Sequence, residues 1–233
     1  MVLAAGQGVR MRPLTLKTPK PLLKVGGRTM LDLALDKLAD EGVERVVVNT
    51  WYLAEKIEKH LKDRKDMEIV ISREETLLET GGGIAHALRH FDAPFFALNA
   101  DLPWIDEEQA SLSKMASAWS PQKMDVLLLV MRRQKARGFS HEGNYAMDGN
   151  GRLKRKDVPP PRPFVMMAAQ ILKPELFARP PAKKFSNRHI WDEAEAKGRL
   201  YGVEHHGTCY HVGTPEDLAL ANGLLSSGKG WAA

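Results

Sequence analysis

One cysteine, Cys209, occurs in 233 residues, so an intrachain disulfide is excluded and a reducing compartment, the cytoplasm, is the expected setting. No apolar run approaches the roughly 20 residues of a membrane-spanning helix. The N-terminus lacks the basic region and apolar stretch of a signal peptide, so no membrane partner is expected. A long basic tract is missing too: the densest run, Arg152-Leu153-Lys154-Arg155-Lys156, is broken by a leucine and ends in Asp157. The formal net charge of +5 therefore suits plain solubility or the attraction of small polyanions, and nucleic acid is not an expected partner. No internal repeat is present. With 43% hydrophobic and 27% charged residues, the chain has the make-up of a soluble domain able to bury a sizeable core.

Strand and helix signals alternate through the first half. The apolar run 2–5 is a very short strand that ends at once in Gly6, and one or two further strand residues are expected before it. Thr29 can cap a helix to about Asp40 in which Met30, Leu31, Ala34, Leu35 and Leu38 share a face, and Gly42 can end it. Val46-Val47-Val48 marks a buried strand, and Leu53, Ile57 and Leu61, four apart, line the next helix. Further strands are predicted over 68–72, 94–99 and 125–131, with helices over 84–88, after a run of glycines, and over 106–119. This alternation implies an α/β domain with a mainly parallel sheet covered on both faces. Later the pattern changes to a hairpin over 144–156, turning at Asp148-Gly149-Asn150-Gly151, and a stiff proline loop over 158–163. A strand over 164–172, a helix over 186–197, strands within 200–212 and a last helix from Pro215 capped by Thr214 complete the chain. The domain is expected to span 1–225, with 226–233 a short flexible tail.

The first chemical motif is Leu3-Ala4-Ala5-Gly6-Gln7-Gly8-Val9-Arg10-Met11-Arg12-Pro13-Leu14-Thr15. Glycines after a first strand let backbone N–H groups approach phosphate oxygens, and arginines add charge with two-pronged geometry. An ordinary tight turn would account for the glycines alone. A dinucleotide-binding loop would want a third glycine where Met11 stands, and a P-loop would want Lys and then Ser or Thr after its last glycine; neither is present.

This segment, followed by Thr18-Pro19-Lys20-Pro21-Leu22-Leu23, resembles the signature of the sugar-1-phosphate nucleotidyltransferases, Gly-x-Gly-x-Arg-Met/Leu-x-Pro-Leu-Thr with a downstream Lys-Pro. The resemblance runs along almost the whole chain. Glu79-Thr80-Gly81-Gly82-Gly83-Ile84 looks like the loop that faces the nucleobase. Asn99-Ala100-Asp101 stands where the family usually shows Asn-Gly-Asp, and His211-Val212-Gly213-Thr214-Pro215 resembles a late Asp-x-Gly-Thr segment. Within the family, the short length and the Leu-Glu-Thr-Gly-Gly-Gly run are most similar to the N-acetylmuramate-1-phosphate uridylyltransferases of peptidoglycan recycling. Mannose-1-phosphate guanylyltransferase-like proteins come next.

The resemblance implies a single-domain, Rossmann-like (GT-A-like) nucleotidyltransferase fold with a mainly parallel mixed sheet. It also implies direct displacement: a sugar 1-phosphate oxygen attacks the α-phosphorus of a nucleoside triphosphate and pyrophosphate leaves, with UTP and N-acetylmuramate 1-phosphate as the favoured substrates. Such a reaction needs positioning and neutralised charge more than covalent help. By resemblance, Arg10 grips the β- and γ-phosphates and Lys20 approaches the α-phosphate. Leu3, Ala4, Ala5, Gly6, Gly8, Thr80, Gly81, Gly82 and Asn99 hold the nucleotide, while Asn144 and Gln170, with Trp191 nearby, belong near the sugar. Asp101 holds Mg2+. Two positions depart from the pattern. His211 stands where most relatives carry a second metal-binding aspartate; it can ligate, which would favour Mn2+, bind phosphate, or simply pack. Asn144 stands where the uridylyltransferase group carries an acidic residue. The alternatives are another pairing, such as GTP with mannose 1-phosphate, and a non-catalytic sugar-nucleotide-binding protein, against which Arg10, Lys20 and Asp101 argue. Oligomeric state has no signature in the sequence.

Overall fold

The alternating apolar runs build one central sheet. A computed structural model describes 1–226 apart from positions 138, 140, 141, 156, 157 and 160. The strands are β1 (Val2–Leu3), β2 (Arg45–Thr50), β3 (Glu68–Arg73), β4 (Phe95–Asn99), β5 (Val126–Arg132), β6 (Phe164–Leu172) and β7 (Leu200–Glu204). Their order is β7-β5-β6-β4-β1-β2-β3. β6 runs antiparallel to β4 and β5, and every other pairing in this sheet is parallel. The mainly parallel α/β architecture expected from the alternation is therefore present.

Helices cover both faces: α1 (Met30–Asp40), α2 (Ala54–Leu61), α3 (Glu79–His86), α4 (Ser111–Ala118), α5 (Arg188–Ala196) and α6 (Pro215–Ser226). Double coverage explains the continuous apolar run of β5. Leu127, Leu129 and Met131 pack on one face with Leu31 and Leu35 of α1, while Val126, Leu128 and Val130 pack on the other with Phe185 and Ile190. At the sheet edge where β5 and β7 begin and β6 ends, the Asp125 carboxylate holds Lys173 at 2.9 Å and Arg199 at 2.8 Å.

Both predicted caps form. The Thr29 hydroxyl accepts the Asp32 N–H at 3.0 Å at the start of α1. At α6 the pairing is reciprocal: Thr214 accepts the Asp217 N–H at 3.2 Å, while Asp217 accepts the N–H groups of Gly213 and Thr214 at 3.1 and 3.0 Å.

Two helices start away from their expected positions. α3 includes the glycine run that was expected to precede it. α4 begins at Ser111, not 106, because Trp104–Ile105 pairs with Thr208–Cys209 and Asp106 accepts the Ser111 N–H at 3.0 Å. The hairpin forms as a short ribbon of Ala146–Met147 with Leu153–Lys154; its end at 156 lies outside the described residues. α6 includes Ser226, the first residue of the expected tail, and the rest of that tail, 227–233, lies outside the described residues. Cys209 is buried beside Met131, and burial pushes its thiol up to about 11, an inert setting. Among the described residues no helix is long and apolar enough to cross a membrane.

Candidate active site

β1, β2 and β4 end side by side, with Leu3 level with Asn49 on one neighbour and with Asn99 on the other. An open cleft of about 360 Å³ lies at these C-terminal ends, where ligands bind in open α/β sheets. Leu3, Ala4, Ala5, Gly6, Gly8 and Arg10 line it from the first loop, Lys20 from the following turn, and Asn99 and Asp101 from the end of β4. Leu77, Glu79 and Thr80 form a further stretch of wall. Residues spread over the first 101 positions thus converge on one cavity.

Local sequence explains how the loop is held. Gly8 has φ of +59°, and a Cβ there would come within 2.9 Å of the Lys20 Cβ and 3.0 Å of the Thr15 Cγ2. The Thr15 hydroxyl ties the loop down by donating to the Gly8 carbonyl at 2.8 Å. A Cβ at Gly6 would meet nothing within 4 Å, so packing does not demand that glycine. Lys20 sits between Pro19 and Pro21 in a short 3₁₀ turn, which stiffens its backbone.

Lys20 Nζ lies 2.7 Å from Asp101 Oδ2; the lysine side chain is 11% exposed and the aspartate side chain 45%. Desolvation raises the Asp101 carboxyl, but Lys20, with His211 and Arg10 behind it, outweighs that and holds it below the ordinary range. Burial lowers the His211 imidazole, with Lys20 and Arg10 pulling the same way against Asp101 and Asp217, so the ring is neutral at neutral pH. That ring packs against Phe139 at 5.0 Å between centroids. His211 thus packs and also stands in the electrostatic reach of Asp101. Asn99 Oδ1 is buried with no hydrogen-bond partner among the described residues, an acceptor still waiting for a donor.

Four expected contacts fall elsewhere. Gly81 and Gly82 do not line the cleft. A Cβ at Gly81 would run into the Phe185 ring, and one at Gly82 would come 2.5 Å from the Lys183 carbonyl. Their N–H groups donate to the Phe185 carbonyl at 2.9 and 3.0 Å, so these glycines serve close packing. Gln170 is 1% exposed within β6, and its amide oxygen accepts the Trp191 indole N–H at 2.9 Å. Asn144 donates its backbone N–H to the Phe164 carbonyl at 2.6 Å and is not on the lining of this cleft.

Asn49 and the contacts that brace this wall from behind had no sequence motif to mark them. Thr80 is held from behind by Asn187, whose N–H donates to the Thr80 hydroxyl at 2.9 Å. Glu79 has φ of +62°, rare for a residue with a side chain, and lines the cleft. Asn49, at the end of β2, lines it as well and reaches the buried Glu74. Burial raises the Glu74 carboxyl against the opposing pull of Asn49, the Leu78 N–H and His86. A polar residue ending a buried parallel strand was the one available signal for Asn49.

Comparison with known proteins identifies the family. The family of MobA-like NTP transferase domains matches residues 1–196. The N-acetylmuramate alpha-1-phosphate uridylyltransferase of Caulobacter vibrioides is 40% identical over 97% of this chain and 96% of its own length. The mannose-1-phosphate guanylyltransferase of Mycobacterium tuberculosis is 29% identical over 98% of this chain and 64% of its own. The crystal structure of HddC from Yersinia pseudotuberculosis superposes with a TM-score of 0.76 at 21% identity, covering 96% of this chain and 97% of that one, a likeness of fold. The chain belongs to the MobA-like NTP transferase family and groups there with the sugar-1-phosphate nucleotidyltransferases.

Proposed function

We propose that the protein transfers a nucleoside monophosphate from a nucleoside triphosphate to a sugar 1-phosphate, with UTP and N-acetylmuramate 1-phosphate as its preferred pair. The setting is cytoplasmic peptidoglycan recycling. The observation that carries the reading is the Lys20–Asp101 pair beside the glycine loop in one cleft, in a chain 40% identical to an N-acetylmuramate alpha-1-phosphate uridylyltransferase along nearly its full length. In the reaction a phosphate oxygen of the sugar 1-phosphate forms a bond to the α-phosphorus. The bond from that phosphorus to the bridging oxygen breaks, and pyrophosphate leaves with the electron pair.

The residues divide this work by position and charge. Backbone N–H groups of the Gly6–Gly8 loop hold phosphate oxygens, and Arg10, exposed on the cleft, grips the β- and γ-phosphates. Lys20 neutralises charge developing at the α-phosphate. Asn99 and the Thr80 wall hold the nucleoside. Asp101 suits Mg2+: a half-open carboxylate offers a hard oxygen ligand, and no group of three or more His, Cys, Asp or Glu among the described residues could enclose an ion. The remaining positions would fall to phosphate oxygens and water, and the bound ion would supply charge neutralisation between the two substrates. His211 would add a softer, neutral nitrogen ligand beside it. Acceptor recognition is assigned to the segment between β5 and β6 with Asn144, while Gln170 contributes by fixing Trp191.

A pyrophosphate-release screen of four nucleoside triphosphates against a panel of sugar 1-phosphates tests the reading. The highest kcat/KM is expected for UTP with N-acetylmuramate 1-phosphate. A maximum with GTP and mannose 1-phosphate would move the protein to the second group of relatives. Nucleotide binding without pyrophosphate release from any pair would make it a binding protein.

A further inference from the structure

Below the cleft, three hydrogen bonds form a chain whose donors converge on the Glu74 carboxylate. The Ala4 N–H donates to Asn49 Oδ1 at 2.9 Å, Asn49 Nδ2 donates to Glu74 Oε1 at 2.7 Å, and the Leu78 N–H donates to Glu74 Oε2 at 3.0 Å. Asn49 is 2% exposed and Glu74 4%. Ala4 belongs to the glycine loop, and Leu78 precedes Glu79 and Thr80, so the line joins two stretches of cleft wall far apart in sequence. Space is reserved for it: a Cβ at Gly83 would come 2.7 Å from both Asn49 Nδ2 and Glu74 Oε1.

We propose that Asn49 and Glu74 are positioning residues that tie the glycine loop to the Leu77–Thr80 wall and so set the geometry in which the nucleoside triphosphate is held. The proposal rests on the nucleotidyltransferase reading above. Its chemistry is strict about which residue carries the charge. Both Glu74 oxygens face donors, so an acceptor-only carboxylate fits and an amide does not: a glutamine in its place would turn an NH2 toward Asn49 or toward the Leu78 N–H. An aspartate in place of Asn49 would set one carboxylate against another. Combining Asn49→Asp with Glu74→Gln restores every bond. The new carboxylate accepts from Ala4 and from the new amide NH2, and the amide carbonyl accepts from Leu78.

The test is steady-state kinetics on Asn49→Asp, Glu74→Gln and the double exchange, with KM for each substrate and kcat measured separately and thermal unfolding recorded. A buried bond left unmade in a nucleotide wall should raise KM for the triphosphate by about tenfold in each single variant. KM for the sugar 1-phosphate and kcat should change by less than about threefold, and the double exchange should recover the triphosphate KM. Single variants that unfold at lower temperature but keep the wild-type triphosphate KM would overturn the proposal and leave the pair as core packing. Failure of the double exchange to recover KM while its melting temperature recovers would overturn it too. A wild type that transfers no nucleotide would instead overturn the enzymatic reading, together with what rests on it.

Discussion

Lys20 and Asp101 meet at 2.7 Å, ammonium to carboxylate, although 81 positions separate them in the chain. The ammonium keeps the carboxylate charged at the edge of a low-dielectric interior. Asp101 keeps nearly half of its side-chain surface open, while the Lys20 side chain is largely buried.

Lys20→Ala should lower kcat by about 10²–10³-fold, the scale of losing one donor that stabilises transition-state charge. The nucleotide Kd should move only severalfold. Equal turnover in mutant and wild type would remove Lys20 from the mechanism.

Asp101→Asn keeps the shape and removes the charge on which the proposed Mg2+ site depends. Turnover should fall to background while circular dichroism and melting stay close to wild type. Retained turnover in a folded variant would move the ion site elsewhere.

His211 offers a neutral imidazole at neutral pH, since its folded pKa is lowered. If it ligates, Mn2+ should support faster turnover than Mg2+ at equal concentration, and His211→Asp should shift preference to Mg2+. Unchanged activity and metal preference in His211→Ala would leave only its packing on Phe139.

Gly8→Ala forces a side chain into left-handed backbone and into the Lys20 Cβ. The conformational part alone should cost about 1–2 kcal/mol, seen as a melting temperature lower by several degrees. Displacement of Lys20 should cut kcat as well. A variant as stable and as active as wild type would mean that the loop does not need this geometry.

The ion cluster at the far edge of the sheet predicts how stability responds to acid. Desolvation raises the Asp125 carboxyl, but Arg199 and Lys173 outweigh it, so its folded pKa lies below the ordinary 3.8. A depressed carboxylate stabilises the fold above its unfolded pKa, and this contribution is lost as pH falls through the folded value. Asp125→Asn should therefore be less stable by about 2 kcal/mol at pH 7. The gap between variant and wild type should close only below about pH 4. A gap that is the same at pH 7 and pH 3 would deny the three-residue cluster its electrostatic role.

Much of this architecture was legible in the chain. Apolar runs such as Val46-Val47-Val48 mark strands buried on both faces, and Thr29 and Thr214 announce helix starts through their side-chain chemistry. Lys20 was readable because its proline neighbours and the glycine loop lie close by in sequence. The glycines of α3 misled, because glycine disfavours helix and only tertiary contact with Phe185 explains them there. Glu74 was invisible, and Asn49 was marked only as a polar residue ending a buried strand, for a related reason: their meaning lies in one another and in two distant backbone N–H groups.

The support of Thr80 by Asn187, and of α3 by Phe185, orders events during synthesis. The loop, the lysine and the aspartate all emerge from the ribosome by residue 101, yet the wall beside them is braced by residues near 185. A growing chain therefore carries Lys20 and Asp101 for a long interval before the residues that brace the cleft wall. The wall and the loop are complete only once both halves of the chain are in place.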